Sequence, residues 1–323
     1  MEHIGIRRIW LLLVALCTIS CSDDDAYYQT NFSHLNDSVT IAIAPYFHNK
    51  SAAVSLTFDD GTLEQYLHAV PALDKYGLKG TFFVNGHNIH ETQPSYSNCL
   101  TYAAVKDMSD RGHEVSNHTF NHVKVTTIPI DSFRIELARN DSAIQVWTGK
   151  RPVTFSFPNN SRTQELIDIA MKGRVGVRTF EKGFGQSKNH SSYDSMVSWT
   201  KDIIDEHDWG VMMFHGIESG YDYWDEPEQF YGFLEYLNKN EDVWTATFKD
   251  VSAYREEYRN SRLELIENGN VIQGKVVMSI DDTLFCHPLT LIVCVNQKEA
   301  MFDVMPNQEF VFSCATLQLM NIQ

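Results

Sequence analysis

From about residue 52 onward, short apolar runs alternate with longer segments in which apolar side chains recur every three or four positions. Ala53 to Phe58, Gly80 to Val84, His113 to Ser116, Val153 to Phe157, Val175 to Arg178, Gly210 to Phe214 and Val243 to Ala246 read as strands. Between them, Leu63 to Tyr76, Tyr102 to Arg111, Asp131 to Thr148, Arg162 to Lys172, Met196 to His207 and Glu226 to Lys239 carry helical periodicity, with Gly77 and Gly112 as stops. Strands separated by helices of this length are the pattern of parallel β/α units, an α/β fold. Seven such strands suit an incomplete or distorted barrel. An open doubly wound sheet is the alternative, and periodicity alone does not separate the two.

The pattern changes near residue 255. Leu263 to Ile266, Val271 to Met278, Leu289 to Val295 and Phe310 to Cys314 look like strands with turn residues between them, and no helix is evident. This predicts a small β-rich module over residues 255–323, with packing support favoured over carbohydrate binding as its role. A module this small needs docking or a disulfide to stay folded.

Composition narrows the class. The chain has 323 residues, is 12% aromatic, and sets 26 Lys plus Arg against 42 Asp plus Glu for a net charge of −16. That aromatic content excludes a disordered chain, and the acidic balance argues against nucleic acid as a partner. No G-x-G-x-x-G or G-x-x-x-x-G-K segment follows a strand, so no nucleotide cofactor is expected.

The first residues read as an address and not as fold. Arg7 and Arg8 precede the apolar run from Ile9 to Cys17, which is too short to span a bilayer comfortably, and Thr18-Ile-Ser-Cys21 closes it. This resembles the signal peptide and lipobox of bacterial lipoproteins, with Thr18 where an aliphatic residue is usual. Ser-Asp-Asp-Asp after Cys21 resembles the surface-export signal of Bacteroidetes lipoproteins. The expectation is a signal and lipobox at 1–21, a tether and lead-in at 22–50, a catalytic domain at 51–254 and the β-rich module at 255–323. The chain would be extracytoplasmic, lipid-anchored through Cys21 to the outer membrane and facing outward. Cys99, Cys286, Cys294 and Cys314 lack the C-x-x-C spacing of a cysteine zinc site.

The informative chemistry falls at the carboxyl ends of strands, where β/α enzymes place their active sites. Thr57-Phe-Asp-Asp-Gly61 puts two carboxylates on a glycine turn. His118-Thr-Phe-Asn-His122 has the i,i+4 spacing that sets two imidazoles on one face of a helical turn. Phe214-His215-Gly216 closes a very apolar strand. One carboxylate and two imidazoles make a divalent-metal site with open positions. A neighbouring carboxylate and a histidine opposite supply acid/base partners, a hydrolytic combination.

These three segments, in this order and separation, resemble the motifs of the polysaccharide deacetylase family, also called carbohydrate esterase family 4, over roughly residues 50–250. The resemblance implies a distorted (β/α) barrel, usually of seven strands, with one divalent ion, Zn²⁺ first and Co²⁺, Ni²⁺ or Mn²⁺ as substitutes. By this likeness Asp59 is the general base, Asp60, His118 and His122 hold the metal, and His215 is the general acid. The substrate would be an acetylated polysaccharide or oligosaccharide, with removal of N-acetyl or O-acetyl groups left open. An amide or imide hydrolase with the same metal triad, and a surface glycan-binding lipoprotein that has lost turnover, are the competing readings.

The resemblance has three departures. The family's Arg-x-Pro-Tyr-Gly is Ser156-Phe-Pro-Asn-Asn160, so Ser156 cannot supply the arginine that orients the base. Pro158 and Asn159 remain pocket candidates, with the Asn159 backbone N–H as an oxyanion donor and Asn160 suited to an unusual turn. The fourth motif's Asp-Trp pair has no carboxylate in Gly176-Val-Arg-Thr-Phe180, where Arg178 is expected either to face substrate or to form a structural ion pair. The loop from Gly220 to Pro227 carries Tyr223 and Trp224, expected to stack on sugar or to pack as core.

Overall fold

The computed structural model describes residues 31–36, 38–94 and 98–320. The signal, the lipobox and Cys21 lie outside them. All seven strands expected in the catalytic region form, and they run parallel in one curled sheet. With the unexpected short strand Lys182–Gly183 the sheet has eight, in the order Lys182–Gly183, Trp209–Phe214, Ala52–Asp60, Thr81–Val84, Glu114–Asn117, Thr154–Ser156 and Gly176–Arg178, with Val243–Thr245 beside Ala52–Asp60. Val243–Thr245 pairs with the first residues of Ala52–Asp60, while Thr81–Val84 pairs with its last. The result is the distorted (β/α) barrel, and the open doubly wound alternative is set aside.

The strand Ala52–Asp60 is buried through its first eight residues because it has neighbours on both edges and helices outside. Phe58 stacks on Phe82 at 4.8 Å and on Phe214 at 5.4 Å between ring centroids, and so ties three strands just beneath their carboxyl ends. Helix boundaries obey local chemistry. Thr101, Thr163 and Thr247 each cap a helix through the side-chain oxygen. Gly149, at φ 74°, closes the long helix Ile130–Thr148 in the left-handed conformation that glycine adopts at least cost.

The accessory region differs from expectation in its membership. Two four-stranded antiparallel sheets form there, and one of them takes Phe32–Asn36 and Val39–Ile43 beside Leu289–Val295 and Lys298–Val304. Phe32–Asn36 and Val39–Ile43, expected within a tether and lead-in, are therefore strands of the module. The reason is burial: Ile41 and Val293 fill the sandwich with Ile272 and Phe312 of the facing sheet. The helix Phe248–Arg259 was not expected either, and it is the element on which the sandwich sits. Tyr254 on that helix, 1% exposed, donates its hydroxyl to the Ala44 carbonyl at 2.8 Å. Cys99, Cys286, Cys294 and Cys314 are free thiols.

A second latch joins the helix to the sandwich. His287 Nε2 lies 3.1 Å from Asp250 Oδ1, and its Nδ1 lies 3.5 Å from Glu257 Oε1. Burial alone would push His287 down, but the hydrogen bond to Asp250 and the negative charges of Asp250 and Glu257 carry it up to about 9. Its folded value thus exceeds the ordinary histidine value. The stabilisation is complete below about pH 6.5 and is lost as pH rises toward 9, on the order of 3 kcal/mol at most. Thermal unfolding at pH 6 and pH 9 is expected to show a larger drop for the wild type than for His287→Asn. Equal drops would remove His287 from the latch.

Candidate active site

Asp59 and Asp60 stand at the carboxyl end of Ala52–Asp60, where the chain leaves the sheet. Asp60 has φ 77° and Gly61 φ 65°, and a Cβ on Gly61 would meet Val84 Cγ1 at 2.8 Å. Only glycine accepts that combination, so the turn aims the Asp60 carboxylate across the mouth of the barrel.

His118 and His122 converge on Asp60, although not along a helix. Residues 118–122 form an irregular loop in which Thr119 has φ 61° and His122 φ 52°. Two asparagines absent from the sequence-level site hold it. Asn117 Oδ1 accepts from the Thr119 N–H at 2.8 Å, and Asn85 donates to the Thr119 carbonyl at 3.2 Å. His118 Nε2 and His122 Nε2 then lie 3.7 and 3.2 Å from Asp60 Oδ1. One ligand atom from each of the three residues falls within 4.8 Å of the others, and no other such trio occurs among the described residues. His118 Nδ1 meets the Ser156 carbonyl at 2.8 Å. A carbonyl only accepts, so the proton sits on Nδ1 and the Nε2 lone pair faces Asp60. Burial lowers the His118 pKa and favours that neutral, ligating form. Burial pushes Asp60 up, yet the hydrogen bond with His122 and the charges of His118 and His215 bring it down to about 2. A carboxylate and two imidazole lone pairs at these separations fit a divalent cation.

Asp59 has a different partner. Arg178 Nη1 donates to Asp59 Oδ1 at 2.8 Å, and Nη2 closes the fork on Oδ2. Nη1 also reaches Thr57 Oγ1 at 2.7 Å, and the guanidinium lies 5.0 Å from the Phe83 ring centroid. Asp59 is 5% exposed and Arg178 2%. Burial raises the Asp59 pKa, but Arg178 and then His118 outweigh it, and the net value is below the usual carboxylate range. Ser156 and Arg178 are register partners on adjacent strands. The cation that Ser156 lacks thus arrives from the neighbouring strand, and Arg178 forms the ion pair at the wall of the cavity.

His215 comes directly after the strand Trp209–Phe214, its Nε2 4.0 Å from Asp60 Oδ2. Asp59, Asp60, His118, His122, Asn159, Arg178 and His215 line one cavity of about 370 Å³. Asn159 and Asn160 have φ 56° and 51°, the unusual turn to which asparagine is suited. Pro158 is buried behind that turn and is not part of the cavity wall. Two further expectations need correction. Trp224 is 1% exposed and packs with Phe230 in the core, because its N–H bonds back to the Ile217 carbonyl and folds the loop inward. Tyr223 is part-exposed beside Asp225 and does not line the cavity. The aromatics that line the cavity are Phe157 and Tyr221, and Tyr221 is 61% exposed and edge-on to His215 at 4.9 Å. Glu181 was also missed: it lines the cavity, and its Oε2 lies 3.7 Å from Arg178 Nε.

Residues 48–177 match the family model described as polysaccharide deacetylase. That stretch holds Asp59, Asp60, His118 and His122, and it stops one residue before Arg178. The chain is similar to the peptidoglycan-N-acetylmuramic acid deacetylase PdaA of Bacillus subtilis, 32% identical over 133 residues, or 41% of this chain and 47% of that protein. It is also similar to the putative polysaccharide deacetylase YxkH of the same organism, 28% identical over 39% of this chain and 44% of that protein. The chain spans less than half the length of these curated relatives. Among solved structures, a family 4 acetyl xylan esterase from Clostridium thermocellum superposes with a TM-score of 0.49 at 21% identity, covering 62% of this chain and 89% of that one.

Proposed function

We propose that the protein hydrolyses acetyl groups from a polysaccharide, using a divalent ion held by Asp60, His118 and His122, a reading supported by the match of residues 48–177 to the polysaccharide deacetylase family model. The observation that carries this reading is the gathering around one cavity of that trio, a separately anchored carboxylate and a histidine facing it. Zn²⁺ suits a carboxylate and two imidazoles best. Bound there, the ion would supply Lewis acidity toward an acetyl carbonyl and acidify a water.

The remaining work falls to this chain's own side chains. Asp59 stays ionised because Arg178 holds its carboxylate, and it takes the proton from the attacking water. The Arg178 fork also fixes the plane of the carboxylate, which restricts the directions from which a proton is accepted. The backbone N–H of Asn159 is the donor proposed for the developing oxyanion. His215, across from Asp59, delivers a proton to the departing nitrogen or oxygen. PdaA is named for an N-acetyl substrate, but its likeness covers 41% of this chain, so the reading extends to the acetyl group and no further. A lipid anchor at Cys21 and an outer-membrane position belong to the same proposal, supported by the basic-then-apolar start and the Ser-Asp-Asp-Asp directly after Cys21.

The metal requirement is tested by chelation and reloading. Dialysis against a chelator is expected to abolish acetate release, and one equivalent of Zn²⁺ or Co²⁺ to restore it. His118→Ala is expected to lose the stoichiometric ion. Full activity after chelation, or unchanged occupancy in His118→Ala, would reject the ligand set.

A further inference from the structure

Between the strand that carries Asp59 and the helix Val70–Lys75, residues Gln65–Ala69 form a π-helical turn. The widened turn fits Pro71, which has no N–H to continue the ordinary helical ladder. Two polar residues at its start, Glu64 and Gln65, are 4% and 0% exposed. Neither belongs to the proposed metal or acid/base set.

Gln65 joins the two strand ends of the site. Its Nε2 donates to the Asp59 carbonyl at 2.6 Å and to the His215 carbonyl at 2.9 Å. Its Oε1 accepts from the Thr62 N–H at 3.3 Å, which fixes the orientation of the amide. Glu64 holds the loop that leaves His215. Its Oε1 accepts from the N–H groups of Ile217, Glu218 and Ser219 at 2.8, 2.5 and 3.4 Å. Three consecutive N–H groups turned to one oxygen make an anion nest, here filled from within the chain. The loop has little freedom to do otherwise: a Cβ on Gly216 would meet the Ser219 carbonyl at 2.0 Å, and the Gly216 N–H bonds to the Tyr221 carbonyl at 2.8 Å.

We propose that Glu64 and Gln65 are positioning residues that set the distance between Asp59 and His215 and hold Tyr221 against the His215 ring. This rests on the deacetylase reading above. A hydrolytic site needs its proton acceptor and donor on opposite sides of one acetyl group at the same moment. Gln65 is the side chain that touches the backbone of both, and it does so without entering the cavity.

The test uses the full mature chain loaded with Zn²⁺. Gln65→Glu keeps the shape but replaces the double donor with an acceptor. Its kcat is expected to fall tenfold to a hundredfold, the scale of a misplaced reacting group, with KM and Zn²⁺ affinity within about twofold of wild type. Glu64→Gln keeps an acceptor oxygen toward the nest and is expected to retain activity within about threefold, while Glu64→Leu is expected to match the Gln65→Glu loss. Wild-type kcat in both Gln65→Glu and Glu64→Leu would overturn the proposal. So would losses in which KM rises and metal affinity falls along with kcat. Should Gln65→Glu not fold, the contrast between Glu64→Gln and Glu64→Leu decides. A wild type that releases no acetate from any polymer overturns the deacetylase reading itself, a result distinct from an active wild type with unaffected variants.

Discussion

Asp59→Asn is expected to reduce kcat by roughly a thousandfold, within the range of 10² to 10⁴ that a general base contributes. The substitution keeps the volume of the side chain and removes its charge and its capacity to accept a proton. Asp60, His118 and His122 are untouched, so Zn²⁺ is expected to bind with stoichiometry and affinity close to wild type. Stability should fall as well, because Arg178 is then left buried against a neutral partner. Steady-state kinetics and a metal titration on the same preparation check both halves. A variant that keeps more than about a tenth of wild-type turnover removes Asp59 from the role, given that range for a general base.

The second large effect is expected at Arg178. Arg178→Ala leaves the Asp59 carboxylate buried with its fork of hydrogen bonds gone, a change that typically costs about 3–5 kcal/mol of stability. In the wild type the net Asp59 pKa lies below its ordinary value, so the pair contributes stability above that value and loses it as pH falls. Without Arg178, burial dominates and the Asp59 pKa rises. The acid limb of the activity profile is therefore expected to move to higher pH, with turnover at neutral pH also reduced. Arg178→Lys is expected to recover only part of this, since an ammonium cannot make the two-pronged contact. Ser156 is the cross-strand partner of Arg178. Ser156→Arg placed on Arg178→Ala is accordingly expected to restore more activity than Arg178→Lys does. Thermal unfolding and a pH–kcat profile of the three variants check this. An Arg178→Ala protein with the wild-type acid limb would show that the ion pair does not govern the base.

The catalytic strands were legible because each is apolar enough to be buried on both faces, and the intervening helices keep a clean apolar stripe. The helix Phe248–Arg259 escaped because its run of Lys, Asp, Arg and Glu hides a buried face that includes polar Ser252 and Glu257. The strands Phe32–Asn36 and Lys298–Val304 lie at opposite edges of their sheet and alternate weakly, and the pairing that joins the two ends of the chain, Val39–Ile43 with Leu289–Val295, left no local trace. The same distinction governs the site. Asp59, Asp60, His118, His122 and His215 could be read from short motifs. The partner of Asp59 could not, because the Ser156–Arg178 register is a property of two strands and not of either sequence. The i,i+4 spacing of the histidines predicted convergence correctly, and the helical backbone wrongly, because the Asn85 and Asn117 side chains impose a different loop. Of the loop aromatics named from the sequence, Trp224 packs in the core and Tyr223 stays off the cavity, while Tyr221 reaches it; backbone hydrogen bonds at Tyr221 and Trp224 fold the loop this way.

The most direct measurement is acetate release by the Zn²⁺-loaded chain of residues 22–323 from N-acetylglucosamine oligomers, peptidoglycan and acetylated xylan, with Asp59→Asn measured in parallel. The account predicts release from at least one polymer by the wild type and its near-complete loss in Asp59→Asn at equal metal content. Equal release by the two proteins, or none by the metal-loaded wild type from any of the three, would contradict it.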